Sequence, residues 1–314
     1  MKRLSTIAEL EEVQGPLHLA MGVFDGVHLG HQAVIGTAVE GARGSGGVAG
    51  VLTLEPHPIQ ILAPGQAPRR ILVSLEHKER LLASLGVTVL LVLRFDETMA
   101  RQSAEEFGEH LFSVAALRQM VAGEDWKFGR ERRGTIDLLR RLGEPHGVEV
   151  TAVPAVMLKG ERVSSTRLRR ALRDGNLQAA SEMLGRSYTV MGTVVRGEQL
   201  GRKLGAPTAN IMLNDEQLPP DGVYVVTATI GEGEETHRGV ANLGVRPTVN
   251  GERRLLEVHL LDFEGDLYEA GVEVCFGLRL RSEKKFKDRE ELREQIRRDL
   301  KEARELFKES KAGI

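Results

Sequence analysis

Up to Gly185 the chain alternates short, continuous apolar runs with stretches whose apolar positions recur at helical spacing. The runs Leu17–Met21, Val48–Leu54, Val87–Leu93, Arg118–Ala122 and Val148–Val153 predict buried strands. Between them, Gln32–Glu40, Leu75–Leu85, Ser103–Phe112 and Ile136–Leu142 predict helices. Ser103 with Glu106 three residues later predicts a capping box. Alternation of this kind implies a parallel sheet covered by helices on both faces. Two short helices close this half: Ser164–Arg173, stopped by Asp174-Gly175, and Leu177–Leu184, stopped by Gly185. Gly41–Gly50, rich in glycine, reads as a flexible connection.

From Tyr188 the pattern changes. Tyr188–Val195, Gly222–Ile230, His237–Leu243, Leu255–Phe263 and Val272–Leu280 are β-rich and separated by Gly, Pro, Asn and Asp. This predicts an antiparallel barrel or sandwich. The final stretch is highly charged, yet Leu292, Ile296, Leu300, Ala303 and Phe307 fall on one helical face. A helix packed on the barrel accounts for that stripe. The change of texture places a domain boundary between Arg186 and Ser187, giving domains 1–186 and 187–314.

Composition narrows the function classes. At 314 residues, 41% of them hydrophobic, the chain can build two ordinary cores. A net charge of −2 argues against a general nucleic-acid binder. One cysteine, Cys275, rules out an intrachain disulfide and fits a reducing cytoplasm. The N-terminus lacks the apolar core of a signal peptide, and no apolar run reaches the length of a membrane span. A cytoplasmic protein without membrane attachment is expected.

The candidate chemistry starts at residues 22–31, Gly-Val-Phe-Asp-Gly-Val-His-Leu-Gly-His, where the first long strand meets a helix. Glycines allow a ligand to approach the backbone. A helix N-terminus offers N–H groups and partial positive charge to a phosphate. His28 and His31 can both face that phosphate. No Gly-x-x-x-x-Gly-Lys-Ser/Thr run occurs anywhere, so this is a phosphate site without a Walker lysine. His-x-x-His could also be a metal pair or two surface histidines, but no Cys or His cluster nearby supplies further ligands. His-x-Gly-His after a first strand resembles the nucleotidyltransferase superfamily.

Further motifs follow in order: Thr53-Leu54-Glu55-Pro56-His57-Pro58, Gly123-Glu124-Asp125-Trp126-Lys127-Phe128-Gly129 and Val163-Ser164-Ser165-Thr166-Arg167-Leu168-Arg169. The second half adds Gly201-Arg202-Lys203-Leu204-Gly205-Ala206-Pro207-Thr208-Ala209-Asn210, Leu218-Pro219-Pro220-Asp221-Gly222-Val223-Tyr224, Gly239–Thr248 and Leu256-Glu257-Val258-His259. The series resembles the bacterial bifunctional riboflavin kinase/FAD synthetase family across nearly the whole chain. The resemblance implies an α/β nucleotidyltransferase domain with a Rossmann-like parallel sheet. After it would come a six-stranded antiparallel β-barrel riboflavin kinase domain with a C-terminal helix. It further implies two activities: ATP-dependent phosphorylation of riboflavin to FMN in the second half, and adenylylation of FMN to FAD, releasing pyrophosphate, in the first.

Site residues follow from the same resemblance. Gly22, Phe24, Asp25, Gly26, His28, Gly30 and His31 would hold ATP for adenylyl transfer. Ser164, Ser165, Thr166 and Arg169 would offer hydroxyls, N–H groups and a guanidinium to the leaving pyrophosphate. His57, Asp125 and Phe128 would line the FMN site. In the kinase, Gly197, Gly201, Gly205, Thr208 and Asn210 would surround ATP, and Thr208 and Asn210 would hold Mg²⁺. Glu257 would be the general base for the riboflavin hydroxyl, and Arg281 would lie at the flavin. The chain departs from the family pattern at Leu54, Trp126, Ser187, Leu200, Ala206 and Glu269. None of these removes a catalytic group.

Overall fold

The structure is a computed structural model that describes residues 1–63, 65, 71–197, 201, 204–213, 216–231, 235–248 and 251–309, with the backbone alone at 245–248 and 251–253. Leu200, Arg202 and Lys203, quoted above, lie outside the described residues. By its internal contacts the chain divides into two units, one of residues 1–71 and 75–165, the other of 72–74 and 166–314.

In the first unit six strands pair in parallel: β1 (Lys2–Leu4), β2 (Leu17–Met21), β3 (Val48–Glu55), β4 (Val89–Arg94), β5 (Leu117–Gly123) and β6 (Glu149–Val153). Their order is β1-β4-β3-β2-β5-β6. The central strands read as unbroken apolar runs because both faces are covered. Leu19, Met21, Leu52, Leu91 and Met120 enter one core with Phe107, Leu111 and Leu139. Ala20, Val51, Leu90, Val92 and Val121 enter the other with Val34, Ile35 and Ala38. The covering helices are α1 (Leu29–Ser45), α2 (Pro58–Leu62), α3 (Leu75–Ser84), α4 (Glu97–Arg101), α5 (Ala104–Phe112) and α6 (Ile136–Gly143). The capping box at α5 forms as expected, with Glu106 N–H donating to Ser103 Oγ at 3.1 Å and Ser103 N–H donating to Glu106 Oε2 at 2.9 Å. A short hairpin follows β6, made of β7 (Met157–Leu158) and β8 (Glu161–Arg162).

The glycine-rich stretch 41–50 is not a loop. Helix α1 runs on to Ser45, and β3 begins at Val48. Gly41 lies over the sheet where a Cβ would collide with the side chains of Gln119 and His18. Those two are buried and bond to each other, His18 Nδ1 to Gln119 Oε1 at 2.9 Å. The glycine therefore serves close helix–sheet packing rather than flexibility. The helix stops at Gly46, which takes the left-handed conformation at φ 64°.

From β2 the chain winds outward through β3 to β4, and then returns to the other side of β2 as β5. The reversal opens a crevice beyond the carboxyl ends of β2 and β5. Residues 22–31 and 123–129 both start there.

The second unit begins with α7 (Ser165–Arg173, from Thr166 onward) and α8 (Leu177–Leu184). Six antiparallel strands then close a barrel: β9 (Thr189–Val195), β10 (Ala209–Leu213), β11 (Gly222–Ile230), β12 (Thr236–Thr248), β13 (Gly251–Leu260) and β14 (Gly271–Arg281), in the order β10-β13-β12-β11-β14-β9. Five of these appear as β-rich segments in the sequence. The sixth, β10, is five residues long and begins inside the Pro-Thr-Ala-Asn motif. Closure settles the choice between barrel and sandwich. Helix α9 (Arg289–Glu309) packs Leu300, Ala303, Leu306 and Phe307 on Val223, Val225, Val240 and Leu261.

Candidate active sites

At the β2–α1 turn, His28 is the N-cap of α1. Its Nδ1 accepts the His31 N–H at 3.3 Å, so the neutral ring carries its proton on Nε2. The two imidazoles stack with centroids 3.6 Å apart and planes 19° from parallel. The buried Phe24 ring meets His31 edge-on at 5.4 Å. His31 Nδ1 is buried and has no hydrogen-bond partner among the described residues.

Burial pushes the His31 pKa well below the usual 6.5, and the charges of His28, Lys78 and Arg162 push it further in the same direction. The unfolded chain therefore binds a proton below pH 6.5 that the folded unit resists. Stability from this group is complete above that pH and falls on acidification, by at most about 1.4 kcal/mol per pH unit. Calorimetry between pH 7 and 5 is expected to show the first unit melting progressively earlier. His31→Asn is expected to flatten that dependence.

A cavity of about 860 Å³ opens over this turn. Gly22, Phe24, His28, Gly30 and His31 line one part together with Ser164 and Ser165, while Leu62, Phe95, Met99 and Phe128 make an apolar wall. Phe128 is buried against Phe107, ring centroids 5.8 Å apart. His57 also lines the cavity. Its Nδ1 accepts the Ile59 N–H at 3.2 Å and caps α2. Asp125 stands at the wall in a two-point ion pair with Arg162, at 2.5 and 2.9 Å. The guanidinium holds the Asp125 carboxyl below its usual range. The indole Nε1 of Trp126 is buried without a partner among the described residues.

Not every expected residue lines the cavity. Asp25 and Gly26 shape the turn from behind, with Gly26 at φ 91° and Asp25 O accepting a 2.9 Å hydrogen bond from Ser165 Oγ. Thr166 and Arg169 continue α7 in the second unit and do not line it. Arg162 was not expected. In the sequence it is one basic residue among several near Ser164, and its partner Asp125 is 37 positions away.

In the barrel, strand register assembles the second site. Asn210 on β10 lies directly opposite Glu257 on β13, and Asn242 on β12 is Glu257's partner on its other side. Directly opposed residues share a face, so a carboxylate stands between two carboxamides. Thr208 precedes Asn210 by two positions. A cavity of about 230 Å³ is lined by Gly201, Thr208, Asn242, Glu257, His259 and Arg281, among others. Asn210 is buried beside it rather than in its wall. Two glycines are required by close approach: a Cβ at Gly197 would strike the Asn210 carboxamide, and one at Gly201 would lie 3.0 Å from Thr208 Oγ1. Gly205 takes φ 84° in the turn that follows.

Two further residues fix this site. His259 Nδ1–H donates to Pro207 O at 2.7 Å and holds the turn before Thr208. Arg281 is held by the buried Asp299 of α9 through Nε at 3.0 Å and Nη2 at 2.8 Å. Gln295 Nε2 donates to the same carboxylate at 2.8 Å. Leu292 and Ile296, expected on the packing face of α9, line the cavity instead.

A parallel sheet with a histidine-capped, glycine-bearing turn at its reversal point, followed by a barrel that sets a carboxylate among amide and hydroxyl groups, is the arrangement expected of a nucleotide-dependent transferase with two sites. Comparison with known proteins specifies it further. A family model described as FAD synthetase matches residues 10–167, and one described as riboflavin kinase matches residues 184–307. The bifunctional riboflavin kinase/FMN adenylyltransferase of Escherichia coli K12 is 40% identical over 290 residues, covering 92% of each chain. That of Bacillus subtilis is 36% identical over 307 residues, covering 95% of each. A crystal structure from Streptococcus pneumoniae, described as a macrolide-efflux protein, superposes with a TM-score of 0.83 at 31% identity, covering 97% of this chain and 99% of that one.

The chain belongs to the bifunctional riboflavin kinase/FMN adenylyltransferase family. It phosphorylates riboflavin to FMN and adenylylates FMN to FAD, with ATP as co-substrate of both reactions and pyrophosphate released by the second. No helix among the described residues is long and apolar enough to cross a membrane. No cluster of three or more His, Cys, Asp or Glu side chains suited to a metal occurs among them.

Proposed function

We propose the following division of labour among the residues of the two sites. In the first unit the polyphosphate of ATP lies on the β2–α1 turn. His28 and His31 donate hydrogen bonds to it, His31 from a neutral ring. Ser164 and Ser165 receive the leaving pyrophosphate. The FMN ring takes the apolar wall beside Phe128, with His57 and Asp125 near it. The FMN phosphate is already an anion, so the transfer to the α-phosphorus needs alignment and charge neutralisation rather than a strong base. The observation that carries this reading is that one cavity is lined both by the phosphate turn and by the apolar wall.

In the barrel, Glu257 accepts the proton of the riboflavin primary hydroxyl as that oxygen attacks the γ-phosphorus of ATP; the bond from the γ-phosphorus to the β–γ bridging oxygen breaks and ADP leaves. Arg281, braced by Asp299, borders the flavin. Thr208 and Asn210 offer a hydroxyl and an amide oxygen, the hard donors that Mg²⁺ prefers when it shares its shell with phosphates. The residues fit that ion, which when bound would neutralise charge on the transferring phosphoryl group.

In this reading FMN adenylylation belongs to residues 1–186 and riboflavin phosphorylation to 187–314. Residues 166–186 stay with the first fragment because they carry the end of the Ser164–Arg169 motif. Consumption of ATP at both sites supports a cytoplasmic setting. Chromatographic separation of flavins tests the division. Fragment 1–186 with ATP and Mg²⁺ is expected to convert FMN to FAD and to leave riboflavin unchanged. Fragment 187–314 is expected to do the reverse. Folded but inactive fragments would refute the boundary.

A further inference from the structure

Behind the phosphate turn lies a charge that none of these roles uses. Lys78 of α3 is only 4% exposed. Its Nζ donates to Val23 O at 3.0 Å, and Thr53 Oγ1 donates to the same carbonyl at 2.9 Å. An ammonium this deeply buried is costly unless it is compensated. Burial lowers the Lys78 pKa, while the nearby carboxylates of Glu55 at the end of β3 and Asp25 in the turn oppose that change.

The backbone held by this carbonyl is strained. Phe24 and Val27 have φ of 51° and 43°, in the left-handed region that side chains avoid and a β-branched residue avoids most. Such conformations persist only where the surroundings over-determine them. Two buried donors on Val23 O are a brace of that kind. The strained segment carries Phe24, which packs on His31, and leads into His28, which caps α1.

We infer that Lys78 is a positioning residue of the adenylyl-transfer site: its buried ammonium braces the β2–α1 turn through Val23 O and sets the charge behind the histidine pair. Two consequences follow from the charges that meet there. Lys78 offsets negative charge of Asp25 and Glu55 behind the site that receives ATP. It also joins His28 and Arg162 in disfavouring a proton on His31. Neutral imidazoles at this spacing can stack and donate, whereas two imidazolium rings with centroids 3.6 Å apart repel.

Lys78→Met removes both the donor and the charge at similar length. In the full chain it is expected to lower FMN adenylylation by about 10- to 100-fold, the scale of a misplaced reacting group, with a raised KM for ATP. Riboflavin phosphorylation in the same preparation is expected to stay within twofold of the parent. Histidine-ring NMR, with His31→Ala used only for assignment, is expected to show His31 titrating at higher pH in Lys78→Met than in the parent. Lys78→Arg keeps the charge and is expected to retain the low titration. If Lys78→Met fails to fold, Lys78→Gln, which keeps an N–H donor without charge, is read through its His31 titration alone. If neither neutral variant folds, His31 in the parent decides: titration near the ordinary 6.5 would refute the proposal, and titration well below it would support it. Adenylylation within twofold of the parent, or a lost rate with an unmoved His31 titration, would also overturn it.

Discussion

Glu257→Ala is expected to lower riboflavin phosphorylation by about 10²–10⁴-fold, the usual contribution of a general base. Conversion of supplied FMN to FAD should be unchanged in the same preparation. The size of the effect follows from the nucleophile: a neutral primary hydroxyl must lose its proton as it attacks, and Glu257 is a carboxylate in the wall of the barrel cavity, opposite Asn210 and Asn242 in the sheet. Its place between Asn210 and Asn242 means that Ala leaves the neighbouring carboxamides where they are. The loss should therefore fall on kcat more than on KM for ATP. Glu257→Gln, which keeps the shape but cannot take the proton, should be about as slow as Glu257→Ala. Near-normal phosphorylation by both variants would remove Glu257 from the reaction.

His28→Ala and His31→Ala are each expected to slow FMN adenylylation by roughly 10²–10³-fold, the cost of losing a donor aimed at charge in the transition state. The stacked rings act as a unit, so the double variant should lose less than the sum of the two. Riboflavin phosphorylation should persist in all three. His28→Ala also removes the N-cap of α1, which costs about 1 kcal/mol of stability and leaves the unit folded. Circular dichroism and the kinase rate of the same sample distinguish that loss from a catalytic one. Equal losses in both reactions would assign the histidines a structural role only.

The parts of this molecule that were legible in the sequence rest on local patterns. Strands covered on both faces appear as unbroken apolar runs, which is why β2, β3 and β4 could be placed. Histidines at the start of a helix after a strand marked the turn over which the first cavity opens. Glu257 was placed by motif, and alternation along its strand correctly set it apart from Leu256 and Val258. What was missed depends on packing between distant segments. Gly41 looks like a helix breaker by propensity, yet it is where a helix comes closest to a sheet. Strand β10 is too short and too polar at Asn210 to stand out. Lys78 and Val23 are 55 residues apart, and Arg281 and Asp299 come from a strand and a separate helix. A charged residue on an amphipathic helix gives no sign that it is the one turned inward.

The row Asn210–Glu257–Asn242 also governs how the barrel tolerates insertions and deletions. Along β13, alternation gives Leu256 and Val258 to the core and Glu257 to the site. Adding or removing one residue early in that strand would exchange the two sets, sending the carboxylate inward and a leucine into the cavity. A change of two residues keeps the parity and only shifts the row. Length variation in this strand is therefore expected in even steps.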